Sequence, residues 1–126
     1  MLERFFGTRI VAKPAALDAA VWPSDSFALR LAADEVWVSA VVAPATVADP
    51  YAIVVPDEGW MGVWLGAAEA AEFLAHHCPW PLPAERPAFA QGQIAGLPLK
   101  LWLETERTLL VPGCSRPNSR NGWEAG

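Results

Sequence analysis

Three clusters hold residue types capable of chemistry. His76-His77-Cys78 sets two imidazoles beside a thiol. Zinc takes three or four such ligands in a tetrahedral array. Neighbouring residues on a helix point about 100° apart, so these histidines cannot readily clasp one ion. No CxxC, HxxxH or HExxH spacing supplies further ligands, which favours helix-end histidines and a packed thiol. A Cys–His nucleophile needs surroundings that stabilise the thiolate. Cys78 follows a helix, whose negative dipole end opposes ionisation. Cys114 sits among Gly, Ser and Arg with no rigid support. Ser24-Asp25-Ser26 lacks the GxSxG elbow, and the pairs Asp34-Glu35 and Asp57-Glu58 read as solvated turn acids. Neither GxGxxG nor a P-loop occurs. The chain therefore carries no recognisable catalytic, cofactor-binding or metal-ligating set.

The tryptophans are less bland. There are seven, and Trp37, Trp64 and Trp102 each stand opposite the more aliphatic side of a β-patterned segment. Strand alternation puts Lys100 and Glu104 on Trp102's side. Trp37, Trp64, Lys100, Trp102 and Glu104 thus form the candidate face, with Arg30 a further polar neighbour. Such a face serves as a second core layer, joins a protein partner or stacks a flat ligand.

The elements that must position this face follow from periodicity. Phe27 to Leu31 and Glu35 to Val42 alternate as strands. Tyr51 to Val55, between Pro50 and Pro56, reads as a short buried strand, Asp57-Glu58-Gly59 as a turn, and Trp60 to Leu65 as another strand. Gly66 to His77 is the one convincing helix, with Ala67, Ala71, Leu74 and Cys78 in an apolar stripe. Pro79, Pro81 and Pro83 fix an extended segment. Phe89 to Ile94, Leu97 to Glu104 and Thr108 to Val111 form a meander, turning at Ala95-Gly96 and Thr105-Glu106-Arg107. The expected fold class is α+β, mainly antiparallel sheet with one central helix and a C-terminal three-strand meander. Residues 1–26 read as an N-terminal arm, with a short helix over Ala15 to Val21 or irregular packing about equally favoured. Residues 27–112 read as a single domain and 113–126 as a loosely ordered tail in which Trp123 docks back.

Composition narrows the function classes. The chain has 126 residues, is 53% hydrophobic and only 18% charged, which excludes a disordered chain. Its formal charge of −5 disfavours nucleic acid and anionic membranes. Arg116 and Arg120 are the nearest thing to a basic cluster. Two cysteines are too few for a disulfide framework. No signal-like leader or membrane-length apolar run is visible, so a soluble, cytoplasmic protein is expected.

Gly62-Val63-Trp64-Leu65-Gly66-Ala67, Phe73 through Leu82, Ala90 through Pro98 and Leu109-Leu110-Val111-Pro112 together carry a resemblance. The stretch from Gly59 to Val111 resembles the gamma subunit family of heterotetrameric sarcosine oxidase, which is similar in fold to the aminomethyltransferase and YgfZ group of folate-binding proteins. The resemblance implies an accessory subunit, with flavin, NAD and folate held by other subunits or larger relatives, and no cofactor on this chain. One departure is that Gly113, Pro117, Asn118 and Gly122 disfavour the helix that follows the last strand in that family. The leading expectation is a non-catalytic interaction module, with a protein partner or a homo-oligomer. The rival is a small-ligand protein or enzyme acting on a folate-like or one-carbon compound beside Trp64 or Trp102, and a third reading is an isolated domain with no retained function.

Overall fold

A computed structural model of the chain describes residues 2–112. In order, these form β1 (Glu3–Val11), α1 (Pro14–Ala19), β2 (Ala28–Ala32), β3 (Glu35–Val38), a 3-10 turn (Pro44–Thr46), β4 (Ile53–Gly66), α2 (Ala67–His77), β5 (Ala88–Ile94), β6 (Leu97–Leu103) and β7 (Arg107–Pro112). The class is α+β, and β1–β3, β2–β3, β4–β7, β5–β6 and β6–β7 pair antiparallel. The chain divides into two compact units, Phe5–Glu58 and the stretch from Gly59 onward with the first few residues.

In the Phe5–Glu58 unit the strands run β2-β3-β1. Thr8 faces Val38 and Ile10 faces Val36. Ile10, Val36 and Val38 pack with Ala16 and Leu17 of α1 and with Val42 and Val47. Pro14 begins α1 where its missing N–H costs nothing. The Asp49 carboxylate accepts the Lys13 amide at 2.9 Å, just before that helix. On the other side of β3, the Trp37 indole is buried against Phe27, ring centroids 5.9 Å apart. It also lies over Gly7, where any Cβ would collide with the indole and with the Val38 carbonyl. Arg9 and Glu35 form an ion pair beside it.

Three expectations change here. The N-terminal arm contains β1, and that strand pairs with β3. The strand expected to reach Val42 stops at Val38. The Thr8 hydroxyl donates to the Ala40 carbonyl at 2.6 Å and accepts the Val42 amide at 3.2 Å, replacing ladder bonds with a side chain. The segments expected as Tyr51–Val55 and Trp60–Leu65 are one continuous strand, β4, and Asp57-Glu58-Gly59 continues it instead of turning.

In the unit from Gly59 onward the order is β4-β7-β6-β5. Leu101 faces both Ala90 and Leu110, and its neighbours Leu99 and Leu103 share its side. With Ile94 they form a leucine-rich face, on which Leu74 of α2 packs. Each such leucine removed from water contributes about 1.5–3 kcal/mol. Ala95 and Gly96 both take positive φ, 55° and 79°, as a two-residue hairpin turn requires. After α2, the Trp80 indole lies across Gly92 and donates from Nε1 to the Gln93 carbonyl at 2.9 Å. A side chain at Gly92 would meet that ring at 2.8 Å. The buried residues of α2 are Ala70 and Leu74, whereas Ala67 and Ala71 of the expected stripe are exposed. Among the described residues, no helix is long and apolar enough to cross a membrane.

Candidate functional site

Register decides which expected residues meet. Trp64 of β4 faces Leu109 of β7, Leu109 faces Trp102 of β6, and Trp102 faces Phe89 of β5. These four side chains share the sheet face opposite the leucines. Alternation adds Trp60, Lys100, Glu104 and Arg107 to it. Trp64, Lys100, Trp102 and Glu104 are therefore brought together as the strand pattern predicts.

Their contacts form a chain. Trp102 Nε1 donates to Glu104 Oε2 at 2.9 Å, and Arg107 Nε donates to Glu104 Oε1 at 2.9 Å. The Arg107 guanidinium lies 3.6 Å from the centre of the Trp64 ring, a close cation–π contact. Lys100 Nζ stands 5.5 Å from the Trp60 ring centre. Both carboxylate oxygens of Glu104 are thus engaged, and one face of Trp64 is covered by a cation. Such an arrangement positions aromatic surface. It presents no carboxylate aimed at a reacting atom.

Two of the expected neighbours lie elsewhere. Trp37 belongs to the Phe5–Glu58 unit and is 1% exposed, so it is core. Its neighbours Val36 and Val38 are equally buried, so β3 is buried on both sides. Arg30 is in that unit too, paired with Asp18 at 2.9 Å and donating to the Ala33 carbonyl at 2.7 Å. Conversely, Trp60 and Arg107 were not singled out. Trp60 has the same strand parity as Trp64. Arg107 follows Glu104 by three residues across the turn, so both signals were present in the sequence.

The remaining clusters do not converge. Among the described residues, no three of His, Cys, Asp and Glu come together as a metal site. His76 Nδ1 is 2.9 Å from the Glu72 carbonyl, and His77 packs on Phe73, ring centroids 4.8 Å apart. Cys78 is a free thiol, its Sγ 3.3 Å from the Trp80 carbonyl. Cys114, Arg116, Arg120 and Trp123 lie outside the described residues, as does the expected tail. Asp49 has its carboxyl held below the ordinary aspartate value because the Lys13 and Tyr51 amides donate to it.

A cleft of about 380 Å³ opens on the leucine side of the sheet. Its walls include Ala67, Ala71 and Ala75 of α2, Leu82 and Arg86 from the segment after it, and Leu103. No family model matches the chain, and no curated protein or solved structure matches it.

Proposed function

We propose that this chain is a non-catalytic interaction module that works as an accessory subunit. The observation carrying this reading is where the large apolar side chains are exposed. Tyr51, Ile53 and Val55 are 89%, 56% and 43% exposed at alternate positions leading into and along β4. Phe6, Val21 and Val41 of the same unit are exposed as well. Scattered single residues of this kind are ordinary. A run at alternate positions is the pattern of a surface that another molecule covers.

The finer form of the proposal draws on the resemblance between Gly59 and Val111. The partner is a flavin-dependent sarcosine or related amine oxidase, in the cytoplasm, and the flavin belongs to the partner. The engaged Glu104 and the covered Trp64 weigh against the rival, a folate-like ligand stacked beside Trp102.

Co-expression with the other subunits of a heterotetrameric sarcosine oxidase tests both levels. The expected result is co-elution in a flavin-containing complex, lost in the triple variant Tyr51→Ser, Ile53→Thr, Val55→Thr. Light scattering on the chain alone reads self-association in parallel. Failure to co-elute, with a self-associated chain, removes the oxidase partner and keeps the module. A strict monomer that binds none of these subunits overturns the module itself.

A further inference from the structure

We propose that the cleft beside α2 binds a small carboxylate with an apolar body. The inference goes beyond the interaction reading and uses different residues. The register puts two positive features at one end of the cleft. Arg86 lines the cleft together with Glu104 and Thr105, which follow the Ala88–Leu103 pairing. Gly66 faces Arg107, and the Ala67 amide donates to the Glu106 carbonyl at 3.1 Å, so α2 starts at the same end. The N-terminus of α2 has no side-chain cap, and helix N-termini favour anions.

Arg86 is held ready for an anion. Its Nη1 donates to the Pro83 carbonyl at 2.6 Å and the Glu85 carbonyl at 2.9 Å. Its Nε and Nη2 have no hydrogen-bond partner among the described residues. Two N–H groups on one planar fork suit a carboxylate. The acid lining this end, Glu104, is already balanced by Arg107 and Trp102. Glu69 and Glu72 line the other flank of α2 with Phe73 and His76. Away from the charged end, Ala71, Leu74, Ala75 and Leu82 give the cleft an apolar wall, with Cys78 beside them. The volume of about 380 Å³ is within the range of small-molecule sites. A large ligand does not fit, and an inorganic anion would leave the apolar wall unused.

Equilibrium dialysis of the full chain with octanoate, octanol and acetate tests the site. Octanoate is expected to bind saturably, with octanol and acetate each weaker by about tenfold or more. Arg86→Met is expected to weaken octanoate by a similar factor and leave octanol unchanged. Ala71→Phe fills the cleft from an exposed helix position and is expected to abolish binding at an unchanged melting temperature. If that variant melts early, Ala75→Leu narrows the same space. No saturable octanoate binding, or equal binding of octanol, overturns the proposal. So does an Arg86→Met variant that binds as well as the parent. The triple variant at Tyr51, Ile53 and Val55 is expected to bind octanoate normally, so the two proposals fail separately.

Discussion

In the Phe5–Glu58 unit a buried side chain, Thr8, completes the backbone, whereas in the unit from Gly59 onward Glu104 joins other side chains on a partly exposed face. Thr8 serves the Ala40 carbonyl and the Val42 amide, Ser39 Oγ accepts the Phe27 amide at 2.8 Å, and Asp49 accepts those of Lys13 and Tyr51. Two of the strands there are short, β2 with five residues and β3 with four, so the irregular segments beside them need other partners for their polar groups. The longer ladders of β5, β6 and β7 leave Glu104, Arg107 and Trp102 available for a surface network. The difference teaches that a polar side chain has unequal value in the two units. One that closes a buried backbone gap is hard to replace, while one in an exposed pair is not.

The largest expected effect tests the shared feature, a core on which each unit depends. Trp37→Ala should destabilise the protein by about 3–5 kcal/mol in urea unfolding, and Leu101→Ala by about 2–5 kcal/mol. A loss below about 1 kcal/mol for Trp37→Ala would show that β3 is not buried on both sides.

The contrast itself is tested next, by Thr8→Val against Glu104→Gln. Thr8 is 5% exposed, so its loss leaves a buried carbonyl and amide unpaired at a cost of about 1–3 kcal/mol. Glu104 is partly exposed, and its pair with Arg107 contributes about 0–1 kcal/mol. Equal losses in chemical denaturation would break the comparison.

The smallest effect is a pH dependence. Asp49 has a lowered folded value, so its ionised form stabilises the fold. That contribution is fully present above the ordinary value of 3.8 and is lost as pH falls through the lowered one. Asp49→Asn lacks it. The stability gap between parent and variant should therefore be constant near neutral pH and close below the ordinary value. A gap that widens in acid would reverse the sign.

Much of this fold was legible where one periodicity dominated. Leu99, Leu101 and Leu103 alternate with Lys100 and Trp102 so cleanly that β6 and its two faces could be read directly. Helix α2 was visible in its alanines, and Ala95-Gly96 in its turn chemistry. β1 was missed because Phe5, Gly7 and Arg9 on one side and Phe6, Thr8 and Ile10 on the other both mix apolar and polar types. β4 was divided because Pro56 and Asp57-Glu58-Gly59 carry local turn preference, yet the strand runs straight through them. Most of the aromatic face was readable, since Trp64, Lys100, Trp102 and Glu104 needed only alternation. Assigning Trp37 correctly required knowing which strands are neighbours, and single-strand patterns do not contain that information. The cleft was invisible for the same reason, as Arg86 and Ala67 come to line it together only through the successive pairings of β5, β6, β7 and β4.

The long β4 also bears on how the chain is made. Its ladder partner β7 comes after α2 and the rest of the meander, so β4 leaves the ribosome well before that partner exists. Until then Val63, Trp64 and Leu65 lack the strand that pairs with them and present an open apolar edge, the kind of surface that drives aggregation of nascent chains. Pro56, Asp57 and Glu58 interrupt the apolar sequence just upstream. A proline and two charges at that place act as gatekeepers against edge-to-edge pairing. The residues that look like a turn thus protect the strand during the interval in which it waits for its neighbour.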